Sequence, residues 1–199
     1  NQKHWQDVEN LMVRSDDVAA NQTIDAAKDG EYGENNALLF YFDKGLILHL
    51  LGQYRESNAY FDKAEQKIED LYTLSVSKET AAFLTNDNTI PYEGEDFERV
   101  LIHLFASLNY LFLGEHENAL VHGRKVDHQL KLISDRYEKE NRERKDKGQP
   151  VKIAYTEDAF VRYLMGIIFE SEQEWNDAYI FYKLAHDSYQ SYQKHYRTP

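Results

Sequence analysis

Cysteine is absent from the 199 residues, which excludes disulfides and thiolate metal sites and leaves the redox compartment open. Proline occurs 3 times and glycine 9 times, so little in the chain would interrupt long regular elements. Basic residues are the minority, 23 against 35 acids, and the formal net charge is −12. An acidic chain with no basic face repels a phosphate backbone, which argues against nucleic acid as a partner. A long hydrophobic run is missing too. The longest apolar stretch, Val100 to Leu113, is broken by His103, Ser107 and Asn109 and is too short to cross a bilayer. Aromatic side chains, by contrast, are plentiful: 15 Tyr, 10 Phe and 2 Trp. Many large side chains and few breakers suit long helices packed side by side.

A pattern repeats along the chain. Tyr41, Gly45, Leu48, Gly52, Tyr54, Ser57, Phe61 and Ala64 alternate large, small and turn-forming residues at fixed offsets. Ser107, Tyr110, Gly114, His116, Ala119 and Val126 keep that register, and so do Gly166, Phe169, Gln173, Trp175, Ala178, Tyr182 and Ala185. The offsets are those of the 34-residue tetratricopeptide (TPR) helical hairpin. Small residues at Gly45, Ser107 and Gly166 let the second helix of a pair approach the first. Ser57, Ala119 and Ala178 receive it, and Gly52 and Gly114 mark the turn. A fourth, degenerate copy opens the chain, with Trp5, Val8 and Leu11 in its first helix and Ala20, Ile24 and Ala27 in its second. Ser15-Asp16 is the expected start of that second helix.

The expected fold is therefore all-α: a TPR-like helical-hairpin solenoid forming a single domain over residues 1–199. Its repeats fall near 1–34, 38–71, 100–133 and 159–192. The three clear copies start about 60 residues apart instead of 34, which leaves insertions at about 72–96 and 134–157. The plain alternative is that the second helices simply run on. His116 to Asp146 reads as one helix stopped at Gly148-Gln149-Pro150, with its charged end, Glu138 to Lys147, solvated.

In such hairpins the first helix lines a groove. The lining offsets give Leu39, Phe42, Leu46 and Leu50, then Leu101, Leu104, Phe105, Leu108, Leu111 and Phe112, then Phe160, Tyr163, Leu164 and Ile167. The middle set belongs to a helix that is apolar nearly all round, and such a helix is normally buried. Either a partner covers it or the insertions do. The insertions are the expected cover, because a permanently exposed patch of that size is a solubility hazard. The segment from Thr85 to Asp96 is the most unusual text, with amides, hydroxyls, a Pro-Tyr step and carboxylates on one loop. Asn86, Asp87, Asn88, Tyr92, Glu93 and Glu95 are its candidate binding residues, and Phe105, Leu108, Phe112 and Tyr163 are those of the groove. The bland reading of the loop is a cover whose side chains bond its own backbone, with Glu95 or Asp96 capping the next helix.

Motifs for catalysis or metal binding do not assemble. Asp87 to Glu98 has the length of a calcium loop, but Thr89, Pro91 and Tyr92 stand where oxygen ligands and a turn glycine are needed. Glu93, Glu95 and Asp96 beside Tyr92 would suit a sugar substrate, although acidic clusters are far more often solvated. His116, His122 and His128 recur every six residues and so scatter around a helix. No glycine-rich phosphate loop or nucleophile elbow occurs. Asp158 and Arg162 can pair across one turn in a structural role. No cofactor is expected, and the chain is not expected to be an enzyme.

Several stretches carry a resemblance: Asn36-Ala37-Leu38-Leu39, Gly45-Leu46-Ile47-Leu48-His49-Leu50-Leu51-Gly52, Leu84-Thr85-Asn86-Asp87, Pro91-Tyr92-Glu93-Gly94 and Trp175-Asn176-Asp177-Ala178-Tyr179. Over roughly residues 35–188 the chain resembles a family of TPR-like bacterial envelope lipoproteins, often encoded beside lipoproteins similar to the curli secretion channel. The resemblance implies an exported protein of the periplasm or outer membrane. Its only membrane attachment would be a lipid on a cysteine upstream of Asn1. It implies a protein or peptide partner, one candidate being the channel-like lipoprotein, and no established activity. The function expected is a non-enzymatic interaction scaffold or adaptor. The alternative is a glycan- or peptidoglycan-binding or -active protein that uses the loop 85–96.

Since no residue set here has metal-ligand spacing, the melting midpoint should be the same with and without a chelator. A clear rise on adding calcium or zinc would contradict this, because a bound ion stabilises the folded state by linkage.

Overall fold

The computed structural model describes residues 2–76, 91–151 and 157–196, and among them are eight α-helices and no strand. The helices are α1 (Gln2–Val13), α2 (Asp17–Ala27), α3 (Ala37–Leu50), α4 (Tyr54–Val76), α5 (Asp96–Phe112), α6 (His116–Asp146), α7 (Ala159–Ser171) and α8 (Trp175–Tyr196). The all-α class expected from composition is what the chain adopts. The helices fall into two compact units, Asn1–Leu113 and Gly114–Pro199.

Four times the chain ends one helix and begins the next within three residues. Each time one residue takes the left-handed conformation: Ser15 (φ 57°), Gly52 (72°), Gly114 (72°) and Gln173 (62°). At three of these the same two bonds close the helix. Gly52 N–H donates to His49 C=O (3.0 Å) and Gln53 N–H to Leu48 C=O (2.9 Å), and the amides of Ser15-Asp16 and Gln173-Glu174 repeat the scheme. This is the Schellman ending, which satisfies carbonyls that a helix terminus leaves unpaired. Ser15 and Gln173 do the work of a glycine there despite carrying a side chain.

The same register recurs in burial. Five residues past each left-handed position stands a buried small residue: Ala20, Ser57, Ala119 and Ala178. Seven residues before it stand Val8, Gly45, Ser107 and Gly166, all buried as well. Within the first unit, α3 and α4 close at Gly45, where an added Cβ would lie 2.5 Å from Cε1 of Phe61. The Ser57 hydroxyl donates to the Gly45 carbonyl at 2.7 Å. Both contacts pair residues on either side of the Gly52 turn, so the helices run antiparallel. Within the second unit Gly166 does the same for α7 and α8, its missing Cβ replaced by the ring of Tyr182 at 2.5 Å.

Among the described residues of the first unit are two apolar clusters. One joins α1 and α2 to α3 through Val8, Ala20, Ile24, Tyr32, Phe40 and Ile47. Between α2 and α3 a π turn (Lys28–Tyr32) and a 3-10 turn (Glu34–Asn36) bring Tyr32 edge-on to Phe40, 5.4 Å between centroids. Buried Lys44 on α3 reaches back to Asn21 and Asp25 of α2, each at 2.6 Å. The other cluster joins α3, α4 and α5 through Leu38, Phe42, Phe61, Ala64, Leu71, Ile102 and Ala106. In the second unit Phe169 of α7 is fully buried and lies 2.6 Å from where Gly123 of α6 would carry a Cβ.

Much of what reads as insertion is continuation of the second helices. α4 runs for 23 residues and α6 for 31, ending where Gly148 turns left-handed (φ 67°) and Gln149 N–H bonds Arg144 C=O at 2.8 Å. Of the rest, residues 91–95 and 147–151 are irregular, and 77–90 and 152–156 lie outside the described residues.

Gly45→Ala should destabilise the protein even though alanine favours a helix by about 1 kcal/mol. Phe61 is 1% exposed and has nowhere to retreat. We expect a net loss of about 1–3 kcal/mol in denaturant unfolding. Unchanged or increased stability would show that the contact at Gly45 is looser than the geometry indicates.

Candidate functional site

Asn86, Asp87 and Asn88 of the loop lie outside the described residues. Tyr92, Glu93 and Glu95 belong to a short irregular strap, residues 91–95, that leads into α5. The strap is tied down. Tyr92 N–H donates to Asn35 C=O (2.7 Å), and its phenol donates to Oε2 of Glu98 (2.7 Å). The Tyr92 ring packs on the Leu38–Phe42 cluster. Gly94 sits left-handed (φ 83°) so close to α3 that a Cβ would meet Leu38 Cδ2 at 2.8 Å. Glu95 is the N-cap position of α5, and its N–H donates to Glu98 Oε2 at 2.8 Å, one arm of a capping box. Glu93 gives its carbonyl to Arg99 (2.9 Å) and leaves its side chain exposed. Two of the three described loop candidates, Tyr92 and Glu95, are thus engaged within the fold.

Beneath the strap lies a group that motif reading missed. Asp43 of α3 and Glu98 of α5 are 4% and 7% exposed. Each carboxylate accepts from a tyrosine, Asp43 from Tyr32 (2.8 Å) and Glu98 from Tyr92. Burial, reinforced by the charge of Glu98 and opposed by the Tyr32 hydrogen bond, pushes the Asp43 carboxyl up to about 8. Burial and the partner carboxylate hold both phenols well above the usual tyrosine range. The signal in the sequence was the charged pair Asp43-Lys44 set inside the apolar run from Leu38 to Leu51.

A second buried polar group fastens α3, α4 and α5. The Asn109 amide donates to Ser57 Oγ and Asn58 Oδ1, both at 2.8 Å. Its carbonyl oxygen faces His49 Nδ1 at 2.6 Å. Both amide protons being spent, that contact requires the proton on His49 Nδ1. The His49 ring lies among Phe105 (5.0 Å), Tyr54 (5.8 Å) and Phe112 (6.1 Å). These contacts explain part of why a nearly all-apolar α5 can exist: the side that carries Ile102, Phe105, Ala106 and Asn109 is occupied by α3 and α4.

The groove positions differ sharply between copies. On α3, Phe42 is buried, Leu39 and Leu46 are half-buried, and only Leu50 is exposed. On α5, Leu104 is buried, Leu101, Phe105, Leu108 and Leu111 are half-buried, and Phe112 is exposed. Phe42 is therefore a core residue of the α3–α4–α5 cluster, and Leu104 is buried as well. On α7 the corresponding positions are open: Phe160, Tyr163 and Ile167 are 58%, 48% and 43% exposed, with Leu164 half-buried beside them. Arg162, expected to pair with Asp158, is buried on the far side of α7. Its guanidinium is held by Glu157 (2.7 Å) and Asp127, while Asp158 Oδ1 caps Val161 N–H at 2.9 Å. Among the described residues no group of three or more His, Asp or Glu could hold a metal ion, and no helix is long and apolar enough to cross a membrane.

Comparison with protein-family models, curated proteins and solved structures found no match.

The buried Asp43 predicts an unusual pH dependence. The folded chain keeps this proton up to about pH 8, whereas the unfolded chain releases it near 3.8. Folding therefore holds the extra proton across that window, and the contribution of Asp43 to stability falls as pH rises through it. Asp43→Asn, which keeps an acceptor for Tyr32, should match the native chain near pH 5 and exceed it by on the order of 1–3 kcal/mol at pH 8. Parallel stability curves for the two proteins would refute a buried neutral acid at this position.

Proposed function

We propose that the chain is a TPR-like helical-hairpin solenoid acting as a non-enzymatic interaction scaffold of the bacterial cell envelope, and that it holds a peptide segment or partner protein on α7. One observation carries the binding reading. The groove positions Phe160, Tyr163 and Ile167 form an in-line apolar stripe left open to solvent, while the equivalent positions on α3 and α5 are largely closed. Solvated apolar stripes on otherwise well-packed helices mark interaction sites. The TPR-like reading draws on the four left-handed turns, the buried small residue five places after each, and the buried residue seven places before it, which is Gly or Ser in three copies and Val8 in the first. The envelope setting, with a lipid anchor upstream of Asn1 and a channel-like lipoprotein as one candidate partner, rests on the resemblance over residues 35–188. The glycan reading is the weaker one, because Tyr92 and Glu95, which would have to contact the sugar, are committed to Glu98 and to the start of α5.

Peptides selected from a random library for binding to the purified chain discriminate the two. Ile167→Ser should weaken the selected peptides about tenfold, near 1.4 kcal/mol, with little change in melting temperature. Glu93→Gln should leave them unaffected. The reverse pattern, or turnover of muropeptides or envelope polysaccharide that Glu93→Gln abolishes, would replace the scaffold with the glycan reading.

A further inference from the structure

We infer that the occupant of the α7 face is a cationic amphipathic helix, a specification that rests on the scaffold reading above. The spacing of the stripe favours a helix. Phe160, Tyr163 and Ile167 are three and four residues apart on one side of α7, so their side chains form a ridge stepping about 4.5–6 Å at a time. The apolar side chains of a second helix repeat at that interval and can interdigitate with it. Those of an extended strand facing one way recur at about 6.6–6.8 Å and drift out of step.

The charge follows from what lies along the ridge. Glu170 continues the line of Phe160, Tyr163 and Ile167 by one more turn, and it is exposed. Its Oε2 accepts from the Tyr182 phenol, which turns the carboxylate toward the Tyr163–Tyr182 ring pair (5.8 Å between centroids) at the edge of the stripe. Exposed Glu174 follows in the turn, and Glu172, hydrogen-bonded to His116, stands between them. The only base of α7, Arg162, is 4% exposed, and its charge is answered by Asp127 and Glu157. An apolar ridge ending in carboxylates, with its one cation buried, complements a helix that carries lysine or arginine beside its apolar side chains. A second copy of this chain is a poor occupant, because its net charge of −12 repeats the same sign.

The test uses two labelled model helices of identical length and leucine pattern, one with lysine and one with glutamate at every polar position, titrated into the purified chain by fluorescence anisotropy. The lysine helix should bind at least about tenfold more tightly than the glutamate helix at low salt. Ile167→Ser should weaken it severalfold, and Glu170→Gln, which still accepts from Tyr182, should weaken it less. Leu132→Ser, at an exposed apolar residue of α6, controls for adhesion to an acidic protein and should change nothing. Equal affinity for both helices, with both weakened by Ile167→Ser, would overturn the cationic assignment and leave the scaffold reading standing. Binding of neither helix, or binding of the lysine helix that Ile167→Ser leaves unchanged, would overturn both.

Discussion

Two helices can close against each other only as far as the bulkiest side chain between them permits, and in this protein that limit is set by having no side chain at all. Gly45 and Gly166 each occupy space that a single methyl group would overfill, with the ring of Phe61 or Tyr182 at 2.5 Å from the missing Cβ. The close approach lets Ser57 reach the Gly45 carbonyl and places Asn58 and Ser57 where Asn109 can bond both. Pushing α4 outward would strand these buried polar groups as well as opening a gap, and an unpaired buried donor or acceptor costs about 1–3 kcal/mol. The glycine contact and the amide network are therefore one constraint acting on α3, α4 and α5 together.

That constraint also decides which surface is spare. Once α5 is fastened to α3 and α4 through Asn109, Phe42 and Ile102 become core, and the strap lays Tyr92 on the same cluster. Asp43 and Glu98 are enclosed there with hydrogen-bond donors supplied by Tyr32 and Tyr92. Two enclosed carboxylates are costly unless one stays protonated, which is the condition in which Asp43 is held. The first unit thus consumes most of its groove positions in its own folding, Leu50 and Phe112 at the helix ends excepted.

The helices were legible in the sequence because their determinants are local. Turn residues at Gly52, Gly114 and Gln173, small residues at constant offsets and the stop at Gly148 all act within a few positions of themselves. Even Gln173, which lacks the freedom of glycine, was placed by the register of its neighbours, whereas Ser15, read with Asp16 as a helix start, is the left-handed residue just before the cap. The site was less legible because burial is a property of what packs on a residue from elsewhere. Phe42 and Tyr163 are both aromatic and stand at the same offset, three residues before Gly45 and Gly166, yet one is 6% exposed and the other 48%. Tyr92 reads as a ligand contact until Asn35 and Glu98, distant or unremarked in the text, are seen to use its amide and hydroxyl. The pairing of Arg162 went astray partly for the same reason: Asp127 is 35 residues away, although its other partner, Glu157, is only five.

The contrast between the groove positions of α3 and α7 has a functional reading that stability alone does not supply. Serine or glutamine at Tyr163 and Ile167 would serve a solvated helix face at least as well and would lower the risk of aggregation. Nothing on the buried side of α7 requires them, since Val161, Met165, Ile168 and Phe169 already supply its core contacts and Gly166 its close approach to α8. Apolar residues left about half in water carry a cost, and occupancy by another chain is the condition under which that cost is recovered as binding energy. The buried face of α7 fixes the helix rigidly, with Arg162 clamped by two carboxylates and Asp158 capping the first turn. A ridge on so fixed a support has little conformational entropy left to lose when a partner arrives, which is how a modest stripe of three side chains can serve as a docking surface.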